Sequence, residues 1–424
     1  MITRSKTIAD GVQINYIETD KFKTNYFSVN FITQVREESA YLNTLLARVL
    51  THGSASYPSQ RDLEKKLQYL YAGALAKKTT SIGKHQVFGV WADILNDRYT
   101  EGTPVTDEAV DFICDILFNP LLENGTFSAQ YTHDEKNELI DIINAEINNK
   151  GRYALNRCCD IMCENEIFSI KTTGTIDQVK SATPQMIYDA YLKALKEYKV
   201  EIYVVGNVDF DKIANTFESH FDKIERNVET IDDIEIVRKA IAVKEVEEIQ
   251  DVSQGKLVMG FRTGKTIEDG NFYIAQLFNE IFGGSPVSKL FVNVREKKSL
   301  CYTCRSFVTQ SSGIMYATAG IEVSNKQVAI DAILEQLENV KNAQITDEEL
   351  DSAKKSLRNA YMSVYDNTMS MEVWTLNRKL SNNNDIPQNE ADKILSVTKT
   401  QIAEFAKGIT LDTIYFLKGE STND

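Results

Sequence analysis

The sequence predicts an α+β fold made of two homologous domains, each an antiparallel sheet covered by helices. Three observations lead to this prediction. Strand-like and helix-like segments alternate along the 424 residues. The same order of segments recurs after about 231 residues, and both halves end in a similar helix followed by a strand. Duplication of one α+β domain explains this regularity better than chance does.

The first copy opens with the strand-like segment KTNYFSVNFITQ, in which large apolar residues alternate with polar ones. A helix is predicted next, from about Glu38 to Thr51. Gly53-Ser54 follows it and is typical of a helix end. The apolar residues of this helix recur at the i, i+3, i+4, i+7 and i+8 spacing of one buried face: Leu42, Leu45, Leu46, Val49 and Leu50.

The second copy opens with QGKLVMGFRT, and a predicted helix follows it and stops at Gly283-Gly284-Ser285. The ends of the halves also correspond. Thr183-Pro184 is a helix start, with Thr183 as N-cap and proline at the first helical position, and the helix leads into EIYVVG. Thr398 starts the matching helix before TIYFLKG. The apolar face of the second copy's first helix is Ala275, Leu277, Phe278, Ile281 and Phe282.

The division of the chain follows from this repeat. The stretch from 226 to 254 is rich in charge and poor in aromatic residues, which is typical of a linker. We therefore predict an N-terminal domain over 1–225, a linker region over 226–254, and a C-terminal domain over 255–424.

Composition excludes some classes of function. The formal net charge of −14 argues against a nucleic-acid partner, which requires a basic face. No apolar segment follows the first positive charges, and no long apolar window occurs in the sequence. We therefore predict neither a leader peptide nor a membrane span. Six cysteines over this length fit a reducing cytoplasm. Because Cys301-x-x-Cys304 lies in a strand-like run without a second such pair, we interpret it as two buried thiols.

Two motifs then identify a family. FGGSPVSKLFVNVREKKSLCY combines glycines, a small polar pair, Leu-Phe, Val-Arg-Glu-Lys and Leu-x-Tyr. Gly174-Thr175, followed by Gly206-Asn207-Val208-Asp209, is similar to the end of a first domain. In this order they resemble the insulinase-like metallopeptidases, which include pitrilysin and mitochondrial processing peptidase. The resemblance covers nearly the whole chain and implies two antiparallel sheets covered by helices, arranged as a processing-peptidase-like half-shell.

Active members of that family bind zinc through H-x-x-E-H on a helix, because positions i, i+3 and i+4 share one helical face. The positions that match it are Thr44, Ala47 and Arg48, and none can act as a ligand or base. On the predicted helix Phe127 to Asn149, Glu135 matches a family glutamate and the third ligand falls on Ile142, or on Asp141 if the register shifts by one. The resemblance therefore implies a degenerate site without metal.

Arg295 and Tyr302 match, residue for residue, an arginine and a tyrosine that in the family reach toward the zinc. A tyrosine hydroxyl can donate to the oxyanion formed when water attacks a peptide carbonyl, and a guanidinium can hold peptide carbonyls. The segment Gly283, Gly284 and Ser285 resembles in position the glycine-rich loop of the non-catalytic processing-peptidase subunit, which contacts substrate. We therefore predict Arg295 and Tyr302 as catalytic residues acting in trans and this segment as substrate-binding.

The leading hypothesis is the non-zinc subunit of a heterodimeric peptidase, located in the cytoplasm. A homologous partner would carry the zinc, and this chain would bind no cofactor itself. The alternative is an inactive pseudopeptidase that binds a peptide or acts as a scaffold. A stand-alone hydrolase with another metal site is a third possibility, which needs a ligand cluster that the sequence does not show. A homodimer of this chain is also left open as an alternative to the heterodimer.

Overall fold

The computed structural model describes residues 1–419. Its first half contains a short hairpin and most of one large sheet with its covering helices. In chain order these elements are β1 (Arg4–Ala9), β2 (Val12–Glu18), β3 (Thr24–Gln34), α1 (Ala40–Leu50), α2 (Gln60–Tyr69), β4 (Ala74–Ile82), β5 (His85–Leu95), α3 (Thr106–Phe118), β6 (Leu122–Glu123), β7 (Thr126–Phe127), α4 (Ala129–Ala145), α5 (Lys150–Met162), α6 (Ile176–Ser181), α7 (Pro184–Glu197), β8 (Lys199–Gly206) and α8 (Phe210–Phe221).

The second half repeats this order with some changes. It consists of β9 (Lys244–Ile249), β10 (Gly255–Arg262), α9 (Phe272–Asn279), β11 (Cys301–Val308), β12 (Ile314–Ile321), α10 (Lys326–Lys341), α11 (Asp347–Met362), α12 (Thr368–Leu380), α13 (Pro387–Leu395), α14 (Lys399–Lys407) and β13 (Thr410–Lys418). Two stretches of π-helix, Glu280–Gly284 and Leu290–Lys297, lie between α9 and β11.

The two large sheets share one topology, which confirms the α+β prediction. Over the described residues the strand orders are β1-β2-β8-β3-β5-β4 and β9-β13-β10-β12-β11. If β1 is set aside, each strand of the first sheet has a counterpart in the second. Most neighbours are antiparallel, but β2 pairs with β8 and β9 pairs with β13 in parallel. The sheets are therefore antiparallel-rich rather than purely antiparallel, because the first and last strands of each repeat run in the same direction.

Strand β3 shows why the central strands form where the apolar pattern predicts them. Phe27, Val29 and Phe31 lie in the hydrophobic core, which agrees with their period-2 spacing. The opposite face of β3 is polar yet equally buried, and there the Asn30 side chain donates to the main-chain oxygen of Glu201 at 3.0 Å. Hydrogen bonds of this kind stabilise a buried polar face, although the Asn30 Oδ1 atom has no hydrogen-bond partner within residues 1–419.

The chain divides into two compact units that exchange one helical segment each. The first unit takes 1–144, 170–233 and 367–377; the second takes 145–169, 234–366 and the chain from Arg378 onward. The exchanged segments contain α5 and most of α12, which have 13 residues each and follow a short 3₁₀ turn. They therefore occupy equivalent places in the repeat.

Local packing explains the exchange. In the second unit α5 lies on β10, where a Cβ at Gly260 would meet Met162 Sδ at 2.7 Å, so glycine allows the helix to approach the sheet. In the first unit Glu372 of α12 is fully buried. Its carboxylate accepts hydrogen bonds from Lys78 Nζ at 2.7 Å and from the Tyr26 hydroxyl at 3.3 Å. No helix within residues 1–419 is both long enough and apolar enough to cross a bilayer.

Candidate functional site

Helix α1 carries the positions that match the family's zinc motif. The Thr44 hydroxyl donates to the main-chain oxygen of Thr172 at 2.6 Å, and the Thr79 hydroxyl lies 3.1 Å away. Ala47 is fully buried in the core of the first unit. Both side chains are therefore used in packing and in a local hydrogen bond, and neither supplies a base.

Arg48 places a guanidinium between α1 and α4. Its Nε lies 2.8 Å from Glu135 Oε2, its Nη2 lies 2.7 Å from Glu138 Oε2, and the side chains of Arg48 and Glu135 are only 7% and 6% exposed. Neither nitrogen is aligned for a hydrogen bond, so these contacts are ion pairs. His52 Nδ1 at 3.2 Å and Lys77 Nζ at 3.4 Å also approach the Glu135 carboxylate. Glu135 is therefore surrounded by nitrogen donors.

This cluster does not fit a Zn²⁺ ion. A guanidinium is permanently charged, so Arg48 repels a cation and already neutralises Glu135. Ile142, the position predicted for the third ligand, lies two turns further along α4, is 48% exposed, and has only a hydrocarbon side chain. Within residues 1–419 no group of three or more His, Cys, Asp or Glu side chains is arranged to hold a metal ion.

The four histidines are dispersed along the chain, at positions 52, 85, 133 and 220. Burial lowers the pKa of His85 to about 4, so this imidazole is neutral at pH 7. Each histidine contacts groups near it: the His52 ring stacks on Tyr131, His85 Nδ1 lies 3.2 Å from the main-chain oxygen of Ile82, His133 Nε2 lies 2.9 Å from Asn137 Nδ2, and His220 stacks on Phe118.

Arg295 and Tyr302 come together in the second unit. Arg295 lies in the π-helical stretch Leu290–Lys297, and its Nε donates to the main-chain oxygen of Tyr302 at 3.0 Å. Its guanidinium carbon lies 4.5 Å from the centre of the Phe291 ring, which is a cation–π contact. Arg295 therefore supports the backbone of Tyr302 directly, which the sequence did not indicate.

Tyr302 is the extra residue of a β-bulge. Cys301 pairs with Ile321 and Thr303 pairs with Gly320, so no residue of β12 opposes Tyr302. A bulge redirects the side chain of its extra residue, and the Tyr302 side chain is 63% exposed. Its hydroxyl donates to Glu322 Oε1 at 3.1 Å, and this hydrogen bond raises the pKa of Tyr302. The proton of the Tyr302 hydroxyl is thus engaged in a hydrogen bond to Glu322.

The glycine segment is packed closely. A Cβ on Gly283 would lie 2.6 Å from the Ser306 main-chain nitrogen on β11, so only glycine fits there. Ser285 is buried, and its hydroxyl donates to the main-chain oxygen of Glu280 at 3.0 Å. Gly284 is exposed. Even so, a Cβ on Gly284 would lie 3.0 Å from the Asn279 main-chain oxygen. Local contacts thus account for all three residues, and contact with a substrate stays a prediction.

Sequence reasoning missed the residues that complete each cluster. Lys77 approaches Glu135 from β4, and no short-range spacing connects the two. Glu138 lies three residues after Glu135 on α4, a spacing that places both carboxylates on one helical face. Glu322 was more accessible to prediction: it follows β12 directly, and regular pairing of the β11–β12 hairpin from its turn would bring Ile321 opposite Tyr302 and Glu322 opposite the neighbouring Cys301. The register of that hairpin is therefore the signal that could have placed Glu322 beside Tyr302.

A family model and two curated relatives relate this chain to one group of metallopeptidases. A family model described as the peptidase M16 inactive domain matches residues 181–357. A Bacillus subtilis relative, the probable inactive metalloprotease YmfF, is 31% identical over 99% of this chain and 98% of its own length. From the same organism, the uncharacterized zinc protease YmxG is 23% identical over 63% of this chain and 64% of its own.

A solved structure agrees with these relatives. The crystal structure of a conserved protein from Enterococcus faecalis V583 has a TM-score of 0.90 and 30% identity, and the match covers 99% of both chains. With a relative 31% identical over 99% of its length and with Arg48 in the zinc motif, the chain belongs to the M16, or insulinase-like, metallopeptidase family as an inactive member.

Proposed function

We propose that this chain is the zinc-free subunit of a two-subunit M16 peptidase, in which Tyr302 and Arg295 complete the active site of a homologous zinc-bearing partner. The exposed Tyr302 hydroxyl carries the proposal. A bulge directs it outward and Arg295 holds its backbone, although the chain has no metal ligands at its own motif. A purely structural tyrosine on an edge strand has no need of this support.

Each residue has a distinct task in the proposed reaction. The Tyr302 hydroxyl donates to the oxyanion that develops when the partner's zinc-bound water attacks a peptide carbonyl. To do so it must turn from Glu322, which polarises it in the unbound chain. Arg295 is a positioning residue for Tyr302 through its Nε, and its other N–H groups can hold peptide carbonyls. Gly284, the exposed glycine of the segment, would contact the peptide.

Two further observations support this proposal. Bacillus subtilis carries both a probable inactive relative and an uncharacterized zinc protease that matches this chain, which is the combination that a two-subunit enzyme requires. The six free thiols fit a reducing cytoplasm as the compartment.

The test is reconstitution. The chain is mixed with an M16 homologue from the same genome that retains H-x-x-E-H, and association is measured by size-exclusion chromatography with light scattering. Cleavage of an unstructured fluorogenic peptide library should require both chains. It should also disappear when the partner's motif glutamate is replaced by glutamine. A pair that associates but cleaves no better than the zinc chain alone would contradict the proposal.

The second candidate function is a pseudopeptidase that binds a peptide or a partner without hydrolysis. The observation that favours it is the Tyr302–Glu322 hydrogen bond, which holds the hydroxyl proton in the chain alone. Under this account the chain binds unfolded peptides, or associates with itself, and Tyr302→Phe leaves every binding constant unchanged. Fluorescence anisotropy with labelled peptides distinguishes it from the subunit role.

A further inference from the structure

The two cysteines that flank Tyr302 lie on the same face of β11. Residues three apart in a regular strand point to opposite faces. Here the bulge at Tyr302 shifts the alternation of faces by one residue, because Cys301 pairs with Ile321 and Cys304 pairs with Ala319. The partners on β12 are only two residues apart, so both cysteine side chains point inward, and they are 8% and 4% exposed.

The bulge also brings the two cysteines close together. Partner residues two apart on a strand are separated by about 6.6 Å, since each residue advances the strand by roughly 3.3 Å. Cys301 and Cys304 therefore have Cα atoms near the upper end of the range for disulfides, about 4.4–6.8 Å. In a regular strand the same sequence spacing would give about 10 Å, which no disulfide can span.

The chemical environment of the two thiols differs. A hydrogen bond from the Cys304 thiol, and then the Arg295 guanidinium, lower the pKa of the Cys301 thiol against the opposing effect of burial. The hydrogen bond to Cys301 and burial raise the pKa of the Cys304 thiol. The thiolate is the reactive form of cysteine, so Cys301 is the sulfur that reacts first. Cys301 lies on the edge strand of its sheet and, at 8% exposed, is the more accessible of the two thiols.

We propose that Cys301 and Cys304 are a reversible oxidation site, at which a small peroxide closes a disulfide across the Tyr302 bulge. The Cys301 thiolate attacks hydrogen peroxide, the O–O bond breaks, and Cys301 becomes a sulfenic acid as hydroxide leaves. Cys304 then attacks that sulfur, the S–S bond forms, and water leaves. In sum, two thiols and one peroxide give one disulfide and two waters. The sulfurs lose two electrons, and a dithiol reductant reverses the change.

The disulfide would act on Tyr302. Because the two Cα atoms start near the long limit for a disulfide, closure draws Cys301 and Cys304 together, and the bulged residue between them must move. Tyr302 would then lose its hydrogen bonds to Arg295 and Glu322. This consequence rests on the proposed function of Tyr302, whereas the disulfide itself does not.

Peptide mapping tests the site without any partner. The folded protein is treated with hydrogen peroxide, unfolded, alkylated with iodoacetamide and digested with trypsin, which releases Ser299–Arg305 with both cysteines. This peptide should be unalkylated, and its mass should be two hydrogen atoms lower than that of the reduced, unalkylated peptide. If dithiothreitol is added before iodoacetamide, both cysteines should be alkylated. Recovery of the doubly alkylated peptide after peroxide, or of sulfinic acid on a single cysteine, would overturn the proposal.

Two single variants test the order of reaction, after thermal unfolding shows that both are folded. In Cys304→Ser, peroxide should leave a sulfenic acid on Cys301 that dimedone traps. In Cys301→Ser, dimedone should trap nothing on Cys304. Trapping on Cys304 alone would contradict the assigned roles.

A reconstituted active pair adds a functional measurement. Peroxide should lower kcat by about tenfold or more, dithiothreitol should restore it, and Cys304→Ser should resist the loss. If the peptide map shows the disulfide while kcat does not change, the coupling to Tyr302 is wrong and the oxidation site stands.

Discussion

Two sites can be compared: the position of the zinc motif in the first unit, and the Arg295–Tyr302 pair in the second unit. They differ in how many of their polar groups already have interaction partners within the chain. Around Arg48, charged groups neutralise one another in a buried cluster. Around Tyr302, a bulge exposes a hydroxyl, and one carboxylate holds its proton. The comparison teaches that internal ion pairs fill the position of the zinc motif in the first unit, whereas the second unit presents an outward-facing hydroxyl group on its surface.

The largest effect is expected at the buried ion pair. Arg48→Met removes a guanidinium and leaves the Glu135 carboxylate buried without its main counter-charge. Breaking such a pair costs about 3–5 kcal/mol in the free energy of unfolding. Urea unfolding followed by circular dichroism measures the change.

Two further variants separate charge burial from lost packing. Arg48→Met combined with Glu135→Met should recover much of the loss, because no uncompensated charge remains. Arg4→Met, at the exposed Arg4–Asp211 pair of the same unit, should change stability little. An Arg48→Met protein as stable as wild type would mean that the cluster does not hold α1 to α4.

The next effect is a pH dependence that arises in the first unit. His85 has a folded pKa of about 4 against an ordinary 6.5. Between these values the unfolded chain binds a proton that the folded chain does not, so stability falls as pH drops through that window. The loss is about 2–3 kcal/mol by pH 4. His85→Gln should flatten this part of the profile, whereas the exposed His133→Gln should leave the slope unchanged.

A smaller effect is expected in the glycine segment of the second unit. Gly283→Ala places a methyl group against the backbone of β11, and overpacking of this kind costs about 1–3 kcal/mol. Gly151→Ala is the matched control, because its Cβ would meet only Asn149 Oδ1 at 3.8 Å. Thermal unfolding of both variants measures the difference. If Gly283→Ala is as stable as wild type but binds peptide more weakly, the segment contacts substrate rather than packing.

Much of the fold could be predicted because its signals are local. The position of α1, the N-cap threonines of α7 and α14, and the alternation in β3 are each contained within one element. The single buried face predicted for α1 was wrong, because the helix is buried on nearly all sides and Leu42 is only partly buried. The exchange of α5 and α12 could not be predicted, since it depends on which sheet each helix approaches. Gly260 and Glu372 decide that approach, and neither is unusual in its own sequence neighbourhood.

In the candidate site, too, features with a local sequence signal could be predicted, and contacts between distant elements could not. The resemblance located Arg48, Glu135, Arg295 and Tyr302 because the family motifs are contiguous. It did not show that Arg48 and Glu135 pair with each other, or that Arg295 supports the Tyr302 backbone. Those contacts depend on helix packing and on a bulge, and a bulge has no reliable sequence signal when no glycine marks it.

The most direct test of the central claim is the turnover of the reconstituted pair with Tyr302→Phe, which removes only a hydroxyl group. The variant should fold and bind the zinc-bearing partner as the wild type does, because this side chain is largely exposed. Loss of one oxyanion donor should lower kcat by about 10²–10³. Unchanged kcat in a pair that assembles and cleaves normally would contradict the claim that this chain completes its partner's active site.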